Sequence, residues 1–137
     1  MRIQKGKPIF DRRDTIDFSI LGEIIEAWLV KFKDDYIKLE LESYPCYLTE
    51  QYPENAQENY LEIIDKMIYA FADVEPKYSG EISMVSGKPQ ENGMIPFDIE
   101  VSDEDAWEKH MQECEEHQQK VDDGLVLFGE YFRTLWV

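Results

Sequence analysis

Apolar side chains recur at threes and fours along three stretches of the chain, and each recurrence predicts a helix with one buried face. In the last stretch Trp107, Met111, Cys114, Val121, Leu125, Phe128, Phe132 and Leu135 alternate four and three apart, interrupted only by Gln118. That spacing predicts one long amphipathic helix over 103–136, roughly 50 Å from end to end. Ser102 with Asp105 three residues on offers a capping-box start. The final turns, rich in Leu127, Phe128, Tyr131, Phe132, Leu135 and Trp136, are expected to be buried. Phe18, Leu21, Ile24, Ile25, Trp28, Leu29 and Phe32 predict a helix over 18–33, capped by Asp17 and broad enough on its apolar side to pack on two neighbours. Tyr60, Leu61, Ile64, Met67, Ile68 and Phe71 predict a helix over 55–74, with Asn55 and Glu58 as its start signal and Pro76 beyond its end. Glu58, Glu62 and Asp65 line its other side and are expected to face water.

Between these stretches the period is lost. Asp34-Asp35 marks the end of the first helix, and the alternation in 36–42 fits a helix continuation or a loop better than a lone strand. Tyr44-Pro45-Cys46-Tyr47 reads as a break. Segment 76–101 carries Gly80, Gly87, Pro89, Gly93 and Pro96 between two apolar runs, which predicts a β-hairpin or an irregular loop. Residues 1–15 show no helical period and read as an extended arm. The expected architecture is mainly α: a single three-helix domain over 1–137, with a long C-terminal helix and a loop or hairpin inserted before it. Gly124 and Gly129 each cost the last helix about 1 kcal/mol relative to alanine. The reading that accounts for them is close approach of another helix, with a bulky residue such as Trp28 against the backbone, or else a local kink.

Charge sharpens this outline. The net formal charge is −16, and it is unevenly spread. Residues 1–13 hold five basic groups (Arg2, Lys5, Lys7, Arg12, Arg13) and one acidic, whereas 34–75 and 98–123 each hold eleven acidic and two basic. Such a field repels nucleic acid and anionic membranes and favours basic partners. The expectation is no direct nucleic-acid binding and no membrane association. No apolar run approaches the ~20 residues of a membrane span, and the start of the chain lacks the apolar segment of a signal peptide. A cytoplasmic protein is expected, with Cys46 and Cys114 free and reduced.

Candidate chemistry is sparse. His110, Cys114 and His117 share one side of the last helix, but the outer two are roughly 10 Å apart along its axis, so a metal would need ligands from elsewhere. No glycine-rich phosphate loop, nucleophile elbow or His-Glu-x-x-His motif is present. Neither catalysis, a cofactor nor a metal is expected. Carboxylates at Asp103, Glu104, Glu108, Glu115, Glu116, Asp122 and Asp123 could imitate phosphates for a basic groove.

Three stretches carry a resemblance: Met1-Arg2-Ile3-Gln4-Lys5-Gly6, residues 63–71 (IIDKMIYAF) and residues 124–136 (GLVLFGEYFRTLW). Together with Leu48-Thr49-Glu50, they resemble a family of small uncharacterised proteins of tailed bacteriophages. The lead-in Tyr52-Pro53-Glu54-Asn55 and the segment from Pro76 to Pro96 depart from it. The resemblance implies a phage origin and the host-cell cytoplasm, and it transfers no functional residue. The expected function is that of an acidic interaction protein, inhibiting a host protein with a basic surface during host takeover or counter-defence. Asp103, Glu104, Glu108, Glu115 and Glu116 would steer the encounter, and Tyr78, Met84, Met94, Phe97 and Trp107 would anchor it. The alternatives are a nucleotide-sequestering protein that uses the basic arm and a structural or assembly protein of the phage particle. The seam from Trp107 to Val121 is also one a homodimer would use.

Overall fold

The computed structural model describes residues 2–4, 7–9, 19–41, 43–72 and 74–135. Its elements in chain order are β1 (Arg2–Gln4), β2 (Lys7–Ile9), α1 (Ser19–Lys38), α2 (Cys46–Gln51), α3 (Ala56–Phe71), β3 (Ile82–Ser86), β4 (Phe97–Val101) and α4 (Glu104–Tyr131), followed by a 3₁₀ turn, Phe132–Thr134. The protein is mainly α, with a long C-terminal helix and a small antiparallel hairpin. The expected cap Asp17, the first helical position Phe18, the basic residues Lys5, Arg12 and Arg13, and Trp136 lie outside the described residues. Within the stretch expected to be an extended arm, the described residues form two short strands, β1 pairing antiparallel with β2 so that Ile3 stands opposite Pro8, and residues 10–15 lie outside the described residues.

Contacts divide the chain into two compact units, Met1–Val74 with Lys120–Val137, and Glu75–Gln119; the boundary falls inside α4. In the first unit Leu29 and Tyr36 of α1, Leu48 of α2, Ala56, Tyr60, Ile64 and Met67 of α3, and Tyr131 and Leu135 at the chain's end form the buried core. Tyrosines link its helices. Tyr36 meets Tyr60 edge-on at 5.8 Å, Tyr60 lies 6.3 Å from Tyr131, and Tyr131 lies 5.9 Å from Tyr47. The Tyr60 hydroxyl finds Thr134 Oγ1 at 3.3 Å, so its polar tip is not stranded in the core. Lys33 Nζ joins Asp65 Oδ1 at 2.5 Å, tying α1 to α3 at the surface.

Several local expectations change. α1 runs through Asp34-Asp35 to Lys38, because Tyr36 continues the buried face begun by Leu29. It then ends in a Schellman motif: the Leu41 amide donates to the Tyr36 carbonyl at 3.1 Å and the Glu40 amide to the Ile37 carbonyl at 3.2 Å. Glu40 takes the left-handed position of that motif, with φ 49°. A fourth helix, α2, occupies the stretch expected to be only a break. Pro45 serves as its N-cap residue, where a missing amide costs nothing, and Leu48 anchors it in the core. Asn55 does stand at the N-cap of α3, but its side chain makes no capping bond.

The buried seam of α4 keeps Trp107, Cys114, Val121, Phe128 and Leu135 of the expected series and is turned by one residue only where His110, Gly124 and Tyr131 replace Met111, Leu125 and Phe132. Trp107, His110, Cys114, His117, Val121, Gly124, Phe128, Tyr131 and Leu135 are buried or half-buried, as are Ala106, Leu127 and Thr134 beside them, whereas Met111, Leu125 and Phe132 are exposed. Gly124 explains the turn. A Cβ placed there would come within 2.6 Å of the Ala70 Cβ and closer still to the Lys66 carbonyl oxygen, so at this point the α4 backbone lies against the α3 backbone at Lys66 and the methyl group of Ala70. The approaching residues are thus on α3, and Trp28 instead stacks on Phe32 at 5.7 Å. Gly129 meets nothing within 4 Å and has no such packing role.

Candidate interaction surface

In the second unit, α4 begins where the Ala106 amide donates to Asp103 Oδ1 at 2.9 Å, which makes Asp103 the capping residue in place of Ser102. Ser102 has other work. Its Oγ accepts the Glu81 amide at 2.9 Å and its amide donates to the Glu81 carbonyl at 3.0 Å, closing the open end of the hairpin. Just before the hairpin, the Tyr78 ring packs edge-on against Trp107 at 5.1 Å and beside His110 at 5.6 Å, and its hydroxyl donates to the Asp103 carbonyl at 3.1 Å. Two of the expected anchors, Tyr78 and Trp107, are therefore brought together and half-buried within the unit.

The hairpin itself is open to solvent. β3 and β4 pair in the register Ile82↔Val101, Met84↔Ile99 and Ser86↔Phe97. Ten residues connect the strands, fastened by the Gly87 amide on the Pro96 carbonyl at 2.7 Å and by a turn in which the Gln90 amide reaches the Met94 carbonyl at 2.8 Å. Because side chains alternate, Ile82, Met84, Phe97, Ile99 and Val101 share one face, while Ser83, Val85, Asp98 and Glu100 share the other. The apolar face is uncovered: Ile82 is 52%, Met84 77%, Phe97 64% and Ile99 62% exposed. Met94, in the connecting loop, is exposed as well. The expected anchors Met84, Met94 and Phe97 are thus all solvent-facing. Ile82 and Ile99 complete their face, and the signal for them in the sequence was the two-residue alternation that runs through both strands.

The expected steering residues Asp103, Glu104, Glu108, Glu115 and Glu116 are also exposed. Glu104, Glu108, Met111 and Glu115 fall four, three and four apart, one stripe of α4 about 16 Å long. A shallow depression of about 500 Å³ opens beside it, bordered by Asp105, Lys109 and Gln112. Asp122 and Asp123 are exposed too, but they belong to the first unit. The second unit as a whole carries twelve carboxylates against three lysines.

Cys114 Sγ lies 3.6 Å from His110 Nε2, a contact between neighbouring turns of α4. Among the described residues no group of three or more His, Cys, Asp and Glu side chains gathers as a metal site would require. Neither cysteine is in a disulfide. Among the described residues, no helix is long and apolar enough to cross a membrane. In the first unit an open cleft of about 380 Å³ lies between α3 and α4, lined by Asp65, Lys66, Tyr69, Lys120 and Asp123, with the Lys120 ammonium 5.9 Å from the centre of the Tyr69 ring. Its two lysines and two carboxylates give it no dominant charge. Two phenols in the core of the first unit are shifted from their ordinary pKa. Burial pushes the Tyr131 phenol well up, reinforced by its hydrogen bond with Tyr47, and burial raises Tyr60 against the opposing hydrogen bond from Thr134. Compared with known proteins, the chain matches no family model, no curated protein and no solved structure.

Proposed function

We propose that this protein works by binding rather than by catalysis: it is an acidic, phage-encoded interaction protein that occupies a basic surface of a host protein and blocks it. The observation that carries the reading is the second unit, in which an uncovered apolar hairpin face stands in a segment with twelve carboxylates and three lysines. Apolar area supplies affinity, and a surrounding field of one sign supplies encounter rate and choice of partner. The carboxylates along α4 also have the sign needed to imitate a nucleic-acid backbone, should the host surface be a nucleic-acid groove. The phage setting and the host cytoplasm rest on the resemblance of the three stretches.

The test is affinity capture of the tagged protein from a bacterial lysate at low and at moderate salt, followed by mass spectrometry. The reading expects one dominant host protein that is lost as salt rises, and loss of the same protein when Asp103, Glu104, Glu108, Glu115 and Glu116 are changed together to lysine. Capture that ignores both salt and charge reversal would sink it. A nucleotide released from the purified protein on denaturation, with no protein captured, would favour the sequestering alternative.

A further inference from the structure

An isolated two-stranded hairpin is marginal in water, and one with a continuous apolar face is expected to be covered in its working state. We infer that the face made by Ile82, Met84, Phe97 and Ile99 is a docking surface for a basic amphipathic helix of the partner protein. The inference rests on the binding reading above and names the partner's chemistry and the side chains that receive it.

Geometry favours a helix. Five paired positions extend about 17 Å along the strands, which equals roughly three turns of helix. Two strands lie about 5 Å apart, so together they offer a strip as wide as one row of side chains on a helix of about 10 Å diameter. Helix upon sheet is also how an antiparallel sheet ordinarily covers its apolar face. A strand added at the edge of β3 or β4 would extend the sheet in its own plane and leave this face in water. A second copy of the chain would bring together two segments that each hold nine more carboxylates than lysines, whereas a basic helix is drawn to that excess. Met84 adds adaptability, since an unbranched thioether reshapes itself to side chains of different form.

The chain holds its own reporters. Its methionines are Met1, Met67, Met84, Met94 and Met111. Met84 lies on the hairpin face, Met111 is 44% exposed among the α4 carboxylates, and Met67 is fully buried in the other unit's core. The experiment is a methyl-labelled NMR titration of the intact, unmodified protein with two peptides of about 14 residues, roughly 21 Å when helical. Both are made of leucine and lysine in the same numbers. One places leucine at i, i+3, i+4 and i+7, and the other is scrambled so that no face is apolar. The inference expects the Met84 methyl to move with the amphipathic peptide while Met67 stays fixed, and affinity for that peptide roughly tenfold or more above the scrambled one. Met84→Ser and Ile99→Ser should each reduce that preference, and Val85→Thr, on the opposite face, should not.

Equal affinity for the two peptides, or movement at Met111 with Met84 unmoved, would overturn the hairpin assignment while leaving the electrostatic reading standing. Binding of neither peptide at low salt would overturn both. Concentration-dependent dimerisation that shifts Met84 without any peptide would replace the partner helix with a second copy. Since the titration uses the native chain, a variant whose hairpin melts does not decide the matter.

Discussion

Alanine at Gly124 would add a methyl group where α3 already lies against α4. The new carbon would stand 2.6 Å from the Ala70 Cβ and nearer still to the Lys66 carbonyl oxygen, whereas carbon and oxygen ordinarily stay about 3.3 Å apart. The oxygen belongs to helical backbone and cannot swing aside, so the helices must separate by roughly 1 Å. Separation loosens the edge-on Phe71–Phe128 pair, 4.9 Å between ring centres, and the Tyr60–Tyr131 contact. Overpacking of this kind costs about 1–3 kcal/mol, and a clash with rigid backbone belongs at the upper end; against about 1 kcal/mol gained in helix propensity, that leaves a net loss of up to about 2 kcal/mol. Gly129 provides the internal control. It lies two residues from the end of the same helix and a Cβ there meets nothing, so Gly129→Ala should gain about 0.5 kcal/mol. Urea unfolding followed by circular dichroism, with the midpoint compared at constant slope, measures both. Opposite signs for the two glycines are expected. A Gly124→Ala protein as stable as Gly129→Ala would refute the crossing of α3 over α4 and, with it, the seam assigned to α4.

Other outcomes follow from single features. Glu40 holds a left-handed φ of 49° at the end of α1, where its charge also opposes the helix dipole, so Glu40→Gly should raise stability by about 0.5–1 kcal/mol in the same unfolding assay. Thr134→Val should cost about 1 kcal/mol by removing the side-chain partner of the Tyr60 hydroxyl and leaving it only the long contact to the Thr134 carbonyl, and pairing it with Tyr60→Phe should cost less than the sum of the two single changes. Tyr60 and Tyr131 both have folded-state pKa values above the ordinary 10.0, so their contribution is full below about pH 10 and is lost as pH rises toward the folded values. The unfolding midpoint should therefore fall above pH 10, and less steeply in Tyr131→Phe. Tyr78→Ala should reduce hydrogen-exchange protection at the Ser102 amide, which closes the hairpin, and leave Met67 and its neighbours in α3 protected.

Which parts of this structure were legible in the sequence depended on how much of the signal was local. The threefold and fourfold recurrence of Leu29, Ile64 and their neighbours reports helices directly, since it reflects the geometry of one element. The face that a helix buries is not local. On α4 two interleaved series satisfy the same spacing, one through Met111, Leu125 and Phe132 and one through His110, Gly124 and Tyr131, and the more apolar series is the exposed one. What selected the other was a backbone approach available only to Gly124. Pro45 likewise reads as a break or as a start depending on whether Leu48 finds a core, and that core lies largely on α3. Ser102 and Asp103 compete for one cap, and the choice was decided across the hairpin by Glu81. At the candidate surface, exposure of the α4 carboxylates was legible from charge. The partnering of Tyr78 with Trp107 was not, because 29 residues separate them and no period links them.

The most direct test of the binding account compares the affinity of the captured host protein for native chain and for a chain with Asp103, Glu104, Glu108, Glu115 and Glu116 changed to their amides. Both are titrated at two ionic strengths, and thermal unfolding is recorded alongside to show that the fold is kept. A loss of affinity of roughly tenfold or more at low salt, shrinking as salt rises, is the predicted result. Equal affinities at both salt concentrations, with both proteins folded, would contradict it.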